Sequence, residues 1–175
     1  MDKPRGVWAV SDVTPLAQQV LTLATEKHKR VTCAESCTGG LLAAALTELP
    51  GSSAIFEYGF VTYSNPAKSD LLGVRSETLE VFGAVSEETV REMAEGALMR
   101  SGADLAVSIS GIAGPGGSEF KPEGRVCFGL ARRTEISACE VTTESVELGA
   151  TGRSEVRRQA TLHALNMLSQ ALISI

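Results

Sequence analysis

Ser36, Cys37 and Thr38 stand side by side in the stretch Ala34-Glu35-Ser36-Cys37-Thr38-Gly39-Gly40. Hydroxyls and thiols become nucleophiles once a neighbouring base takes their proton. The stretch joins an extended run, Val31 to Ala34, to an alanine- and leucine-rich segment, Leu41 to Leu49, so it reads as a turn from a strand into a helix. Main-chain N–H groups at a helix start lack partners within the helix and point at whatever faces them. One turn can therefore present a nucleophile and stabilise an oxyanion or hold a phosphate. The same residues also suit a plain helix cap, with Ser36 or Thr38 accepting from a helical N–H and the glycines allowing close packing.

Only two histidines occur, His28 at the end of one expected helix and His163 inside the last one. That placement argues against a Ser-His-Asp triad and against a histidine-based metal centre. Lys68 is the candidate base. Ser64-Asn65-Pro66 reads as the end of a strand and the start of a helix, with Asn65 as cap, Pro66 at the first position and Gly73 past the end. Lys68 then lies in the first turn, where the helix dipole disfavours a cation and depresses a lysine pKa. The alternative is an ordinary surface lysine. Tyr63, five residues earlier, could relay a proton through its hydroxyl or serve as a core aromatic. Cys37 is a rival nucleophile, but no histidine partner is evident for it.

A second glycine-rich run, Gly111-Ile112-Ala113-Gly114-Pro115-Gly116-Gly117, follows an apolar segment, Asp104 to Ser110. Such a run continues neither helix nor sheet, and its N–H groups can line an anion site. No Gly-Lys-Ser or Gly-Lys-Thr follows it, which removes the P-loop, and its glycines miss the Gly-x-Gly-x-x-Gly spacing of dinucleotide folds. The Gly-x-Ser-x-Gly spacing of the nucleophile elbow is likewise absent around Ser36.

These segments must be positioned by one fold. With 175 residues, 43% of them hydrophobic, the chain supports one buried core. A helix to about Lys29 is expected, with Thr14 as its N-cap and Pro15 at its first position, then a strand over Val31 to Ala34 and a helix over Leu41 to Leu49. Next come a strand over Ile55 to Tyr63 and helices over 66–72, Glu77 to Phe82 and Glu87 to Arg100. Strands over Asp104 to Ser110, Val126 to Ala131 and Ile136 to Leu148 follow, and a last helix starts near Ser154. Strands interleaved with helices indicate a single-domain α/β/α sandwich, and the adjacent strand pair makes its sheet mixed. Residues 1–13 read as an N-terminal extension and 14–175 as the domain.

A net charge of -5 argues against a nucleic-acid surface. The four cysteines form no CxxC pair or metal-ligand ladder; Cys33, Cys127 and Cys139 read as reduced, small core residues. No signal-peptide pattern or membrane-length apolar window is visible, so a cytoplasmic protein is expected. No cofactor and no metal are expected, and a homo-oligomer is left open.

Taken together, Ala34 to Gly40, Gly51-Ser52-Ser53, Gly59-Phe60-Val61-Thr62-Tyr63-Ser64-Asn65 with Ala67-Lys68, Gly83-Ala84-Val85-Ser86 and Ser108 to Pro115 resemble the successive motifs of the CinA C-terminal-domain family, in particular its stand-alone nicotinamide-nucleotide amidohydrolases. The resemblance runs from about Pro15 to the last helix. It implies hydrolysis of the carboxamide of nicotinamide mononucleotide to nicotinic acid mononucleotide and ammonia, in pyridine-nucleotide salvage, without metal. It also implies Ser36 as nucleophile, Lys68 as general base and Tyr63 as assisting residue. Thr38, Gly39 and Gly40, with Ser110, Gly111, Ile112, Ala113 and Gly114, match the substrate-binding motifs. Thr151-Gly152-Arg153 stands where the family tends to have Gly-Asp-Arg, so Arg153 is retained for the phosphate and the acid is not. A non-catalytic nucleotide-binding module with a regulatory or competence-related role is the other functional class; it needs the glycine loops but not Lys68.

Overall fold

The computed structural model describes residues 13–134 and 139–175. In chain order the elements are α1 (Thr14–Glu26), β1 (Val31–Glu35), α2 (Leu41–Thr47), β2 (Phe56–Val61), α3 (Asn65–Leu72), α4 (Ser76–Phe82), α5 (Glu87–Ser101), β3 (Leu105–Gly111), β4 (Arg125–Arg132), β5 (Glu140–Glu147) and α6 (Arg153–Ile173). The strands form one sheet in the order β2-β1-β3-β4-β5. β1 pairs in parallel with β2 and β3, while β3–β4 and β4–β5 are antiparallel. The expected mixed sheet in an α/β/α sandwich is what forms.

Alternation along β3 explains the two unequal layers. Leu105, Val107 and Ile109 face a core shared with α1, α2 and α6, whereas Ala106, Ser108 and Ser110 turn toward α5. Small side chains on that second face let α5 sit close. The Ser108 hydroxyl donates to the Val90 carbonyl of α5 at 2.6 Å, and a Cβ on Gly129 of β4 would collide with the same carbonyl. Gly96 of α5 lies against the Leu72 carbonyl at the end of α3, leaving no room for a side chain. The helix that carries Lys68 is thus seated on α5 backbone to backbone.

β1 is where the connections part. The link from β1 to β2 runs through α2 on the α6 side, and the link from β2 to β3 runs through α3, α4 and α5 on the other. In such sheets the crevice outside the carboxyl ends of the strands is where ligands bind. Residues 36–40, 62–68 and 111–117 all leave from those ends.

Several expected boundaries shift for local reasons. α1 ends at Glu26, because His28 takes a left-handed conformation at φ 54°, and its N-cap is Val13 rather than Thr14. Val13 is fully buried, so it belongs to the domain; the rest of the expected extension lies outside the described residues. α3 is capped by Ser64, whose hydroxyl accepts from the Ala67 amide, rather than by Asn65. β2 closes at Val61, before Tyr63. β5 is described from Glu140, the earlier part of the expected strand falling in 135–138.

Candidate active site

The turn after β1 is built around Glu35. Its carboxylate is fully buried and accepts the main-chain N–H groups of Gly40, Leu42 and Ala43 at 3.0, 3.1 and 2.9 Å. A side chain from the end of the strand therefore caps α2, a role in which serine, threonine or asparagine is the usual choice. Neither Ser36 nor Thr38 caps the helix. Gly39 and Gly40 take left-handed conformations, φ 60° and 98°, which only glycine adopts at little cost. The tight bend leaves Ser36, 8% exposed, at the end of the strand with its amide on the Ile109 carbonyl at 2.9 Å.

Lys68 meets Ser36 from the other side. Its ammonium nitrogen lies 3.1 Å from the Ser36 hydroxyl, 2.8 Å from the Thr62 carbonyl and 3.3 Å from the Tyr63 carbonyl. The residue is 1% exposed, and no carboxylate pairs with it among the described residues. Burial holds its pKa below the usual lysine value, and the nearby Cys37 offsets this only in part. A surface lysine is excluded.

Tyr63 touches this pair only through its carbonyl. The residue is 60% exposed, and its hydroxyl accepts from Nη2 of Arg153 at 3.0 Å. Nη1 of Arg153 donates to the Gly114 carbonyl at 2.9 Å. One guanidinium at the start of α6 thereby ties the tyrosine segment to the glycine loop. Gly152 caps α6 at φ 92° without a side-chain bond, so Arg153 is ordered here by carbonyl and phenol rather than by a preceding acid.

The glycine run departs from the expected anion cradle. The Gly116 amide donates to Glu123 at 2.6 Å, and the Glu123 carboxylate packs against Gly114, where a Cβ would overlap it. The anion that this loop holds is thus the chain's own. Ser110 is buried with its hydroxyl on the Ala84 carbonyl at 2.7 Å, fastening the segment before α5 to the end of β3. Gly111 is pressed against Val126, Ala113 is buried and Ile112 is partly exposed.

Cys37 packs in the apolar core. Burial pushes its thiol up to about 12, which makes a thiolate nucleophile unfavourable at neutral pH. Cys33 and Cys127 are buried, as expected, while Cys139 is only partly so. Among the described residues no group of three or more His, Cys, Asp or Glu side chains is placed to hold a metal ion, and no helix is long and apolar enough to cross a membrane.

Residues 13–172 match the profile of the CinA C-terminal domain. The chain belongs to the CinA C-terminal domain family. Within it, the nicotinamide-nucleotide amidohydrolase PncC of Escherichia coli K12 is 51% identical over 166 residues, covering 93% of this chain and 96% of that one. A CinA-like protein of Chlorobium phaeobacteroides is 54% identical over 79% of this chain. The chain spans only 33% of that relative's length. A crystal structure of the competence/damage inducible protein CihA from Agrobacterium tumefaciens superposes with a TM-score of 0.86 at 48% identity, covering 93% of this chain and 96% of that one.

Three residues of this family domain escaped the sequence reading. Glu35 and Glu123 serve the turn and the glycine loop as buried or packed carboxylates. The third, Arg157 of α6, donates to the carbonyls of Cys37 at 3.1 Å and Thr38 at 2.9 Å. A signal was present for two of them: an acid ends an otherwise buried strand, and Arg153 and Arg157 are spaced to share one helix face.

Proposed function

We propose that the protein is a nicotinamide-nucleotide amidohydrolase that converts nicotinamide mononucleotide to nicotinic acid mononucleotide and ammonia through Ser36 and Lys68. The observation that carries this reading is the 3.1 Å contact between a buried lysine and a serine that caps nothing. A neutral lysine amine has two N–H bonds and one lone pair. The Thr62 and Tyr63 carbonyls can take the two hydrogens, which leaves the lone pair for the Ser36 hydroxyl proton.

In the first step Ser36 Oγ bonds to the carboxamide carbon, its proton passes to Lys68 Nζ, and the carbonyl π pair moves onto oxygen. Collapse of that oxyanion breaks the C–N bond, and the leaving nitrogen takes the proton from Lys68 and departs as ammonia. Water then attacks the ester with Lys68 again as base, releasing the carboxylate and restoring Ser36. Tyr63 and Arg153 border the site from the exposed side and are the groups for the nucleotide's polar half. The first turn of α6, which has no side-chain cap, adds main-chain donors beside Arg153 for the phosphate. Thr38, Gly39 and Gly40 line the Ser36 side, and Ser110 to Gly114 the β3 side. The reaction takes place without metal or cofactor in the cytoplasm.

Release of ammonia from nicotinamide mononucleotide by the purified protein, with and without a chelator, tests this reading. Turnover in both conditions supports it. Nucleotide binding without turnover gives the domain to the non-catalytic regulatory class, and restoration by one divalent ion after chelation overturns the metal-free mechanism.

A further inference from the structure

Three buried side-chain oxygens have no hydrogen-bond partner among the described residues, those of Thr38, Thr62 and Ser169. Thr62 is the one whose backbone already serves the site, since its carbonyl accepts from Lys68 Nζ at 2.8 Å. Its place follows from the sheet. Ala34 pairs with Phe60 on one side and Ser108 on the other. The Thr62 amide, donating to the Glu35 carbonyl at 2.8 Å, and the Ser36 amide, donating to the Ile109 carbonyl at 2.9 Å, carry that ladder onward. Thr62, Ser36 and Ser110 therefore form the next row, on the face where Ala34 and Phe60 pack with residues of α5. Ser36 meets Lys68, and Ser110 donates to the Ala84 carbonyl. The Thr62 hydroxyl is the one left over in that row, in a residue with 0% exposure. A buried hydroxyl of this kind costs stability for as long as nothing takes up its bond.

We propose that Thr62 is a positioning residue for Lys68, its hydroxyl accepting an N–H of the ammonium that forms when Lys68 takes the Ser36 proton. The proposal rests on Lys68 being the base for Ser36. With no exposed surface, Thr62 meets neither substrate nor bulk water, so the partner that changes during turnover has to be a neighbouring protein group. Lys68 is that group. Neutral, it has two N–H bonds for the Thr62 and Tyr63 carbonyls, and the second of these contacts is long, at 3.3 Å. On taking the proton from Ser36 Oγ it has three. The third faces Ser36 Oγ, which by then is bonded to the carboxamide carbon and is a poorer acceptor. A side-chain oxygen in the same row supplies the missing acceptor, and a bond from an ammonium is stronger than one from a neutral donor. Thr62 keeps its own proton throughout, and the proton on Lys68 goes on to the leaving nitrogen. The unmet bond is thus a cost of the resting state that is relieved as charge forms on Lys68, which lowers the barrier.

No carboxylate takes this part among the described residues. Glu35 of β1 is occupied by the amides of α2. On α5, Glu92, Glu95 and Arg100 line a groove with Gly73 and Arg75 at the far end of α3, and Glu92 is bonded to Arg75 and Thr78. Beyond β2, the Tyr63 hydroxyl is held by Arg153. Cys37 is the titratable side chain whose charge acts on Lys68, and its thiol, pushed up to about 12 by burial, stays neutral at ordinary pH.

Lysine labelled with ¹³C at Cε lets the titration of Lys68 be followed by NMR, with Lys68→Met assigning its signal. Removing the acceptor disfavours the ammonium, so Lys68 should titrate at lower pH in Thr62→Val than in the wild type, and Thr62→Ser should bring it back. On the high-pH plateau, kcat for ammonia release should fall roughly 10-fold in Thr62→Val, the scale of one bond to a charged group, with KM little changed. Thr62→Ser should recover most of that rate. Stability should run the other way. Thr62→Val removes an unpaired hydroxyl and keeps the shape, so its urea midpoint should be no lower than that of the wild type, whereas Thr62→Ser loses a methyl and should fall. A titration midpoint shared by the wild type and Thr62→Val overturns the proposal, whatever the rates. A raised KM with unchanged kcat also overturns it and makes the hydroxyl a substrate contact. If the wild type releases no ammonia from nicotinamide mononucleotide, the substrate assignment falls and the NMR titration alone decides the role of Thr62.

Discussion

The Glu35 carboxylate receives the Ala43 amide at 2.9 Å, joining the last residue of β1 to the first turn of α2 across the Ser36 bend. With the amides of Gly40 and Leu42 on the same carboxylate, the bend is pinned by three charge-assisted bonds away from water. Removing the acceptor leaves those donors unpaired. Glu35→Ala should lower stability by about 3 kcal/mol, and Glu35→Gln, which keeps one acceptor oxygen, by less. The urea midpoints measure both. Equal midpoints for Glu35→Ala and wild type would remove the capping role.

A second packing feature reaches the site through α3. Gly96 of α5 leaves no space for a Cβ against the Leu72 carbonyl, and Lys68 lies one helical turn before Leu72. Gly96→Ala should cost about 2 kcal/mol by overpacking and should lower kcat as α3 moves Lys68 from Ser36. An unaltered melting temperature together with an unaltered kcat would contradict that seating.

Much of this arrangement was legible in the sequence, because the local signals agree with the global fold. The strand, turn and helix around Ser36 follow from a short apolar run, two glycines and an alanine-rich segment. The placement of Lys68 near the start of a helix follows from Pro66 and Gly73, and the structure adds the burial that a one-dimensional pattern does not carry. What escaped is what depends on side chains reaching across space. Glu35 reads as the end of a strand until α2 folds back over it. Glu123 reads as a loop acid until it fills the glycine turn, where an external anion was expected. Ser110 offers a hydroxyl in sequence, but its partner is 26 residues away in the segment before α5. Arg157 shares a face of α6 with the buried Thr161 and Leu165, but its partners, the carbonyls of Cys37 and Thr38, lie 120 and 119 residues away in the chain.

The pH dependence of Lys68 follows from its burial, which lowers its folded pKa below 10.5. The proposed mechanism uses the neutral amine, so kcat/KM should rise with pH through that depressed value. Stability should rise too. Between the folded value and 10.5 the unfolded chain binds more protons than the folded one, so unfolding becomes harder as pH increases. Urea midpoints at several pH values, compared with Lys68→Met, isolate this contribution. A wild type that loses stability relative to Lys68→Met over that window would reverse the sign and refute a desolvated lysine.

Cys37, beside the proposed nucleophile Ser36, should be dispensable for the chemistry. Its thiol is carried up to about 12 and is 5% exposed, so at pH 8 it should resist iodoacetamide while the protein is folded. Cys37→Ala should keep kcat within about threefold and lose about 1 kcal/mol of packing. A fall of 100-fold or more in that variant would transfer the nucleophile from Ser36 to Cys37.

The most direct test of the account is the rate of ammonia release from nicotinamide mononucleotide by the wild type, Ser36→Ala and Lys68→Arg, with binding of the nucleotide measured alongside. Arginine keeps the charge but does not give up its proton. Both variants should therefore lose more than about 10³-fold in kcat while still binding the nucleotide. Wild-type turnover in Ser36→Ala, or in Lys68→Arg, would contradict the serine and lysine mechanism outright.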